Sequence, residues 1–69
     1  MLDEIYLHQM IEAKQIAKEL INQYGDDAET IAMLKSAEFA ANLDQENWYV
    51  WEQVIIYIKE ITDLKILDS

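Results

Sequence analysis

Cysteine, proline and arginine are absent from this chain, and glycine and histidine occur once each, as Gly25 and His8. Without cysteine there are no disulfides and none of the usual Cys-rich zinc arrangements, and one histidine cannot build a multi-histidine metal site. Without arginine there is no bidentate clamp for a carboxylate or phosphate. Long hydrophobic runs are missing too. The longest, residues 54–58, falls far short of the roughly 20 apolar residues that span a bilayer. The opening Met1-Leu2-Asp3-Glu4 has neither a basic n-region nor an apolar h-region, so no signal peptide is expected and a cytoplasmic setting is.

What is present is acid and grease. Fourteen Asp/Glu against five Lys give a formal charge of −9, and 52% of the 69 residues are hydrophobic. A field of that sign repels phosphate backbones and anionic lipid, so direct nucleic-acid or membrane binding is not expected. It keeps a greasy chain soluble, steers it toward a basic protein partner, or imitates a nucleic acid. At 8.1 kDa the chain forms one domain, and folding hides only about 60% of its extended surface. With disulfides excluded, oligomerisation is the natural supplement to so small a core.

The scarcity of turn formers, set against abundant Ala, Ile, Leu, Glu and Gln, predicts an all-α protein. The expected architecture is a compact three-helix bundle: an antiparallel helix hairpin plus a strongly apolar third helix. The first helix is placed at about residues 3–24, with Asp3 as its N-cap. Tyr6, Met10, Ala13, Ala17, Leu20, Ile21 and Tyr24 share one side, and Glu4, His8, Glu12, Gln15, Lys18, Glu19 and Asn22 the other. Gly25 supplies the left-handed residue that closes it, and Asp26 or Asp27 then caps a second helix at 28–42. Apolar residues surround most of that helix, with Ala32, Ala37, Ala40 and Ala41 allowing close backbone approach. It is expected to be the most buried of the three. Asp44 caps a third helix at 45–64. The β-branched run 54–58 favours a strand in isolation, but no flanking Gly or Pro and no partner strand support one.

Thirteen of the twenty residues at 48–67 are apolar or aromatic. At 100° per residue, Trp48, Trp51, Val54, Ile55, Ile58, Ile61 and Lys65 form a broad inward side, with Val50, Tyr57 and Leu64 along one flank. Glu52, Lys59 and Asp63 lie opposite. Tyr49 and Ile56 fall within that polar side, and with Tyr57 and Leu64 they mark an expected contact seam for a homodimer. Scattered exposed apolar residues are otherwise normal. The two tryptophans are expected in the core, near Tyr6 or Tyr24, with Tyr49 the better interface anchor.

Little here suggests chemistry. Glu4, His8 and Glu12 recur at four-residue spacing, which can gather metal ligands, but they occupy a polar helix face with no second shell. The acidic pairs read as caps or solvated charges, because acid–base work needs two carboxylates held in environments that separate their pKa values. There is no nucleophile motif and no phosphate-cradling glycine loop. A small enzyme or metal-binding protein is therefore the weakest expectation. No catalytic residue, metal ligand or cofactor is assigned.

The run Tyr24-Gly25-Asp26-Asp27-Ala28-Glu29, followed by Ala37, Asp44 and Trp51-x-x-Val54, resembles a loose group of small uncharacterised bacterial three-helix proteins. Their pattern is a Gly-Asp-x-Ala turn, an Ala-rich helix and a third helix containing Trp-x-x-Val/Ile. The likeness spans about residues 17–61. Members usually carry basic residues in the second helix, where this chain has mainly Lys35. They often have Gly in the turn before the third, where it has Gln45-Glu46-Asn47. The resemblance implies the fold and brings no activity with it. The functional expectation is a small non-enzymatic interaction or accessory protein that self-associates. The alternative is an acidic inhibitor or nucleic-acid mimic that blocks a basic groove.

Overall fold

The computed structural model describes the backbone of residues 2–68 and the side chains of residues 7–63. Nearly all of it is helix: α1 (Leu2–Tyr24), a 3-10 turn (Gly25–Asp27), α2 (Ala28–Ala41) and α3 (Gln45–Asp68). No strand occurs among the described residues, and residues 54–58 lie within α3.

Gly25 ends α1 at φ +57°, in the left-handed region that an L side chain enters only at a cost. The chain then turns directly into α2 and leaves Asp27 with helical angles, φ −86° and ψ −3°. This corrects the expected cap. A capping carboxylate reaches back to the first-turn amides from an extended backbone, and neither Asp26 nor Asp27 makes a side-chain capping bond. Their charge still favours the positive end of α2.

The second turn is built differently. The Leu43 amide donates to the Ala40 carbonyl at 3.1 Å, and the Asp44 amide to the Phe39 carbonyl at 2.9 Å. This is a Schellman closure, which places one residue in the left-handed region. Here that residue is Leu43, at φ 59°, and a leucine so placed costs about 1–2 kcal/mol. Asp44 then caps α3 as expected. Its Oδ1 accepts from the Asn47 amide at 3.3 Å and its Oδ2 from Asn47 Nδ2 at 2.8 Å.

The core is small-residue throughout. Ala13 and Ala17 of α1, Ala28 and Ala32 of α2, and Val50, Val54 and Ile58 of α3 are buried, and Val54 and Ile58 are the largest side chains fully enclosed. Ile16, Leu20, Ile21, Trp51, Ile55 and Tyr57 pack around them. The buried positions of α2 recur every four residues (Ala28, Ala32, Ser36), as do those of α3 (Val50, Val54, Ile58), so each helix contributes one narrow stripe. α3 is the central element. It packs extensively on both α1 and α2, which touch each other much less.

The expectation that α2 would be the most buried helix holds only in part: among the described residues α2 and α3 bury three each and α1 buries two. Only Ala28, Ala32 and Ser36 are buried on it, while Met33, Leu34, Ala37, Ala40 and Ala41 are exposed. Extensive packing against one neighbour, α3, covers one side of the helix, and α2 is apolar on more than one.

One polar contact ties α2 to α3 at mid-height. Ser36, 4% exposed, donates from Oγ to Oε2 of Glu52 at 2.6 Å. Glu52 is thus half-buried rather than the solvated charge expected from its position. Short O–H···O⁻ bonds are the strong kind, and a buried acceptor left without its donor is costly. Ser36→Ala is expected to destabilise the fold by about 1 kcal/mol after allowance for the partial exposure of Glu52, read as a lowered urea midpoint at unchanged m-value. An unaltered midpoint would show the bond to be dispensable.

The molecule is compact but flattened, with Cα extents of 40 × 28 × 17 Å. Its radius of gyration is 12.6 Å, against about 11 Å for a compact chain of this length. Its surface is 5461 Å², where a globular monomer of this mass shows about 4,500 Å².

Candidate functional site

The three seam residues whose side chains are described, Tyr49, Ile56 and Tyr57, do not form one equally exposed row. Ile56 is 47% exposed on the outer side of α3. Tyr57 is half-buried and packs against the core, with Lys14 Nζ 5.6 Å from its ring centroid. Tyr49 is half-buried and faces the second turn. Leu64 lies outside the described side chains, as do Tyr6 and Glu4.

The tryptophans part company. Trp51 packs at the core margin, its ring 6.4 Å from that of Phe39 at an interplanar angle of 31°. Trp48 is instead 39% exposed, which corrects its assignment to the core. Three positions on a helix separate the two by 300°, equivalent to a 60° step back around the axis. That step moves Trp48 off the inward stripe and onto the α2 flank. Tyr24, the other expected neighbour, is also exposed.

Trp48 stands between two surface grooves along the α2–α3 flank. One, about 550 Å³, is lined by Phe39, Ala40, Leu43, Asp44, Gln45, Trp48 and Tyr49. The other, about 380 Å³, is lined by Met33, Ser36, Ala37, Trp48, Glu52, Ile55 and Lys59. Met33, Ala37 and Ala40 follow one another at helical spacing along the α2 side, and all three are exposed. Leu43 ends that strip and is 87% exposed. The first groove contains no base, and both oxygens of its single acid, Asp44, are engaged by Asn47. The sequence marks this surface only faintly, since its residues come from two helices and a turn whose register the periodicity does not fix.

His8 and Glu12 are both exposed on α1. Among the described residues no group of three or more His, Cys, Asp or Glu side chains is placed to hold a metal ion. The acids Glu12, Glu19, Glu38, Glu60 and Asp63 are exposed and divided among the three helices. Lys35 and Glu38, 3.9 Å apart, form the one ion pair among the described residues. No described helix is long and apolar enough to cross a membrane. No family model, curated protein or solved structure matches this chain.

Proposed function

We propose that the chain is a compact three-helix bundle acting as a small, non-enzymatic interaction or accessory protein that self-associates as a dimer in the cytoplasm. The observation that carries this is the mismatch between what is enclosed and what is left out. Among the described residues Val54 and Ile58 are the only side chains larger than alanine that are fully enclosed, whereas Ile11, Met33, Leu34, Leu43 and Ile56 lie exposed. A domain this small gains stability by covering such surface. Sedimentation velocity at micromolar concentration is expected to show a dimer of about 16 kDa, twice the chain mass. A strictly monomeric species would sink the proposal.

The acidic field supports a second reading, in which the chain occupies the basic groove of another protein and excludes nucleic acid from it. Its support is the scarcity of compensating cations, with a single ion pair among the described residues. Salt separates the two. Screening weakens an attraction between opposite charges and relieves the repulsion between two copies carrying −9 each. Self-association therefore strengthens as salt is raised, and binding to a basic partner weakens.

A further inference from the structure

We propose that the dimer forms by exchange of α3 between two copies. The turn at Asn42-Leu43-Asp44 straightens, α2 and α3 join into one helix, and each α3 packs on the α1 and α2 of its partner. The inference rests on the self-association reading and names the way it is achieved.

The turn is strained, and nothing in its sequence enforces it. Leu43 is held at φ 59°, where glycine sits without strain and leucine does not. Its side chain is 87% exposed, so no packing within the monomer compensates. The first turn has Gly25, but this one contains neither glycine nor proline, and all three of its residues can take helical angles. Straightening gives up the Asp44 cap and the Schellman bonds. It returns helical amide bonds in their place and relieves Leu43. Short hinge loops under strain are the ones that invite exchange.

The periodicity across the turn fits a single helix. At an uninterrupted 100° per residue, the buried stripe of α2 (Ala28, Ala32, Ser36) and that of α3 (Val50, Val54, Ile58) fall within one arc of about 120°. Leu43 lies at the middle of that arc, with Glu46 and Asn47 near its edges. A residue stranded in solvent by the hairpin thus joins the two stripes once the helix is continuous.

The occupant is fixed by the fold itself. α3 packs extensively on both α1 and α2. Only a second copy carries the same α3 surface, so exchange re-forms those contacts between chains. Register agrees as well. Ser36 bonds to Glu52 and Phe39 meets the Trp51 ring, pairs centred on Asp44 and Gln45. Two straight helices crossing antiparallel about a twofold axis at that point bring the same partners together.

Spin labels at Met33→Cys and Lys59→Cys read the exchange directly, in a chain with no cysteine of its own. Both positions line one groove in the hairpin. Along a continuous helix they stand about 39 Å apart, at about 1.5 Å per residue. With labelled chain diluted into excess unlabelled chain, double electron–electron resonance is expected to show the long distance in the dimer fraction and the short one in the monomer. Leu43→Gly relieves the hairpin and weakens the continuous helix. The dimer dissociation constant is therefore expected to rise about hundredfold, roughly tenfold for each of the two hinges. A dimer that keeps the short distance, or one that Leu43→Gly leaves equally tight, overturns the exchange while self-association stands. If the parent chain is monomeric throughout, the self-association reading falls, and this inference with it.

Discussion

Replacing Ile58 with alanine is expected to remove about 2–5 kcal/mol of stability. A chain of this length holds only about 3–10 kcal/mol in total. Ile58 is 2% exposed and, with Val54, forms the bulk of what the three helices enclose. Among the described residues the other buried apolar positions are alanines and Val50, too short to collapse into the space vacated, so the loss includes a cavity as well as lost burial. The check is urea denaturation followed by far-UV circular dichroism at one fixed protein concentration, since association would itself add to the measured stability. A fall of under about 0.5 kcal/mol, the range of ordinary surface substitutions, would mean that Ile58 is not central to the core.

The second large effect comes from adding volume rather than removing it. Ala32 is fully buried on α2, between Ala28 and Ser36 on the stripe turned toward α3. Its methyl group lets the two backbones approach closely, and the Ser36–Glu52 bond one turn further on depends on that separation. Ala32→Leu inserts three further carbons at a position that is already fully buried. It is expected to cost about 1–3 kcal/mol through off-rotamer side chains and displaced backbone. Helix propensity is nearly unchanged between the two residues, so the cost reports on packing alone. Ala41→Leu serves as the control, being an equal change at an exposed position of the same helix, and should stay within about 0.5 kcal/mol of the parent. If Ala32→Leu proved equally silent, the helices would not be in close contact there.

Much of this structure could be read from residue spacing, because the elements are local and their signals are strong. Gly25 and Asp44 mark the two turns by chemistry alone, and Ala13, Ala17, Val54 and Ile58 fall on the inward stripes that a 100° step assigns them. Periodicity failed on α2 for a definite reason. A helix apolar around most of its circumference has no preferred side in sequence, and its burial depends on how many neighbours surround it. The structure gives α2 one extensive neighbour and leaves Met33 and Leu34 exposed. Trp48 was misassigned because an apolar arc broader than the contact stripe does not reveal where contact ends. The Ser36–Glu52 bond joins residues 16 positions apart, and only the relative register of two helices brings them together. Leu43 gave no warning at all, since the left-handed position falls on a residue type that ordinarily avoids it.

Asp44 links these observations to the behaviour of the chain over time. Its amide closes α2 through the Phe39 carbonyl, its carbonyl accepts from the Trp48 amide at 2.9 Å, and its carboxylate caps α3. Most helix ends fray singly, each giving up its last turn without disturbing the next helix. Here the end of one helix and the start of the other share a residue, so losing its conformation releases both. The joint consequently opens as one cooperative unit, and the flank beside Trp48 is either assembled whole or lost whole.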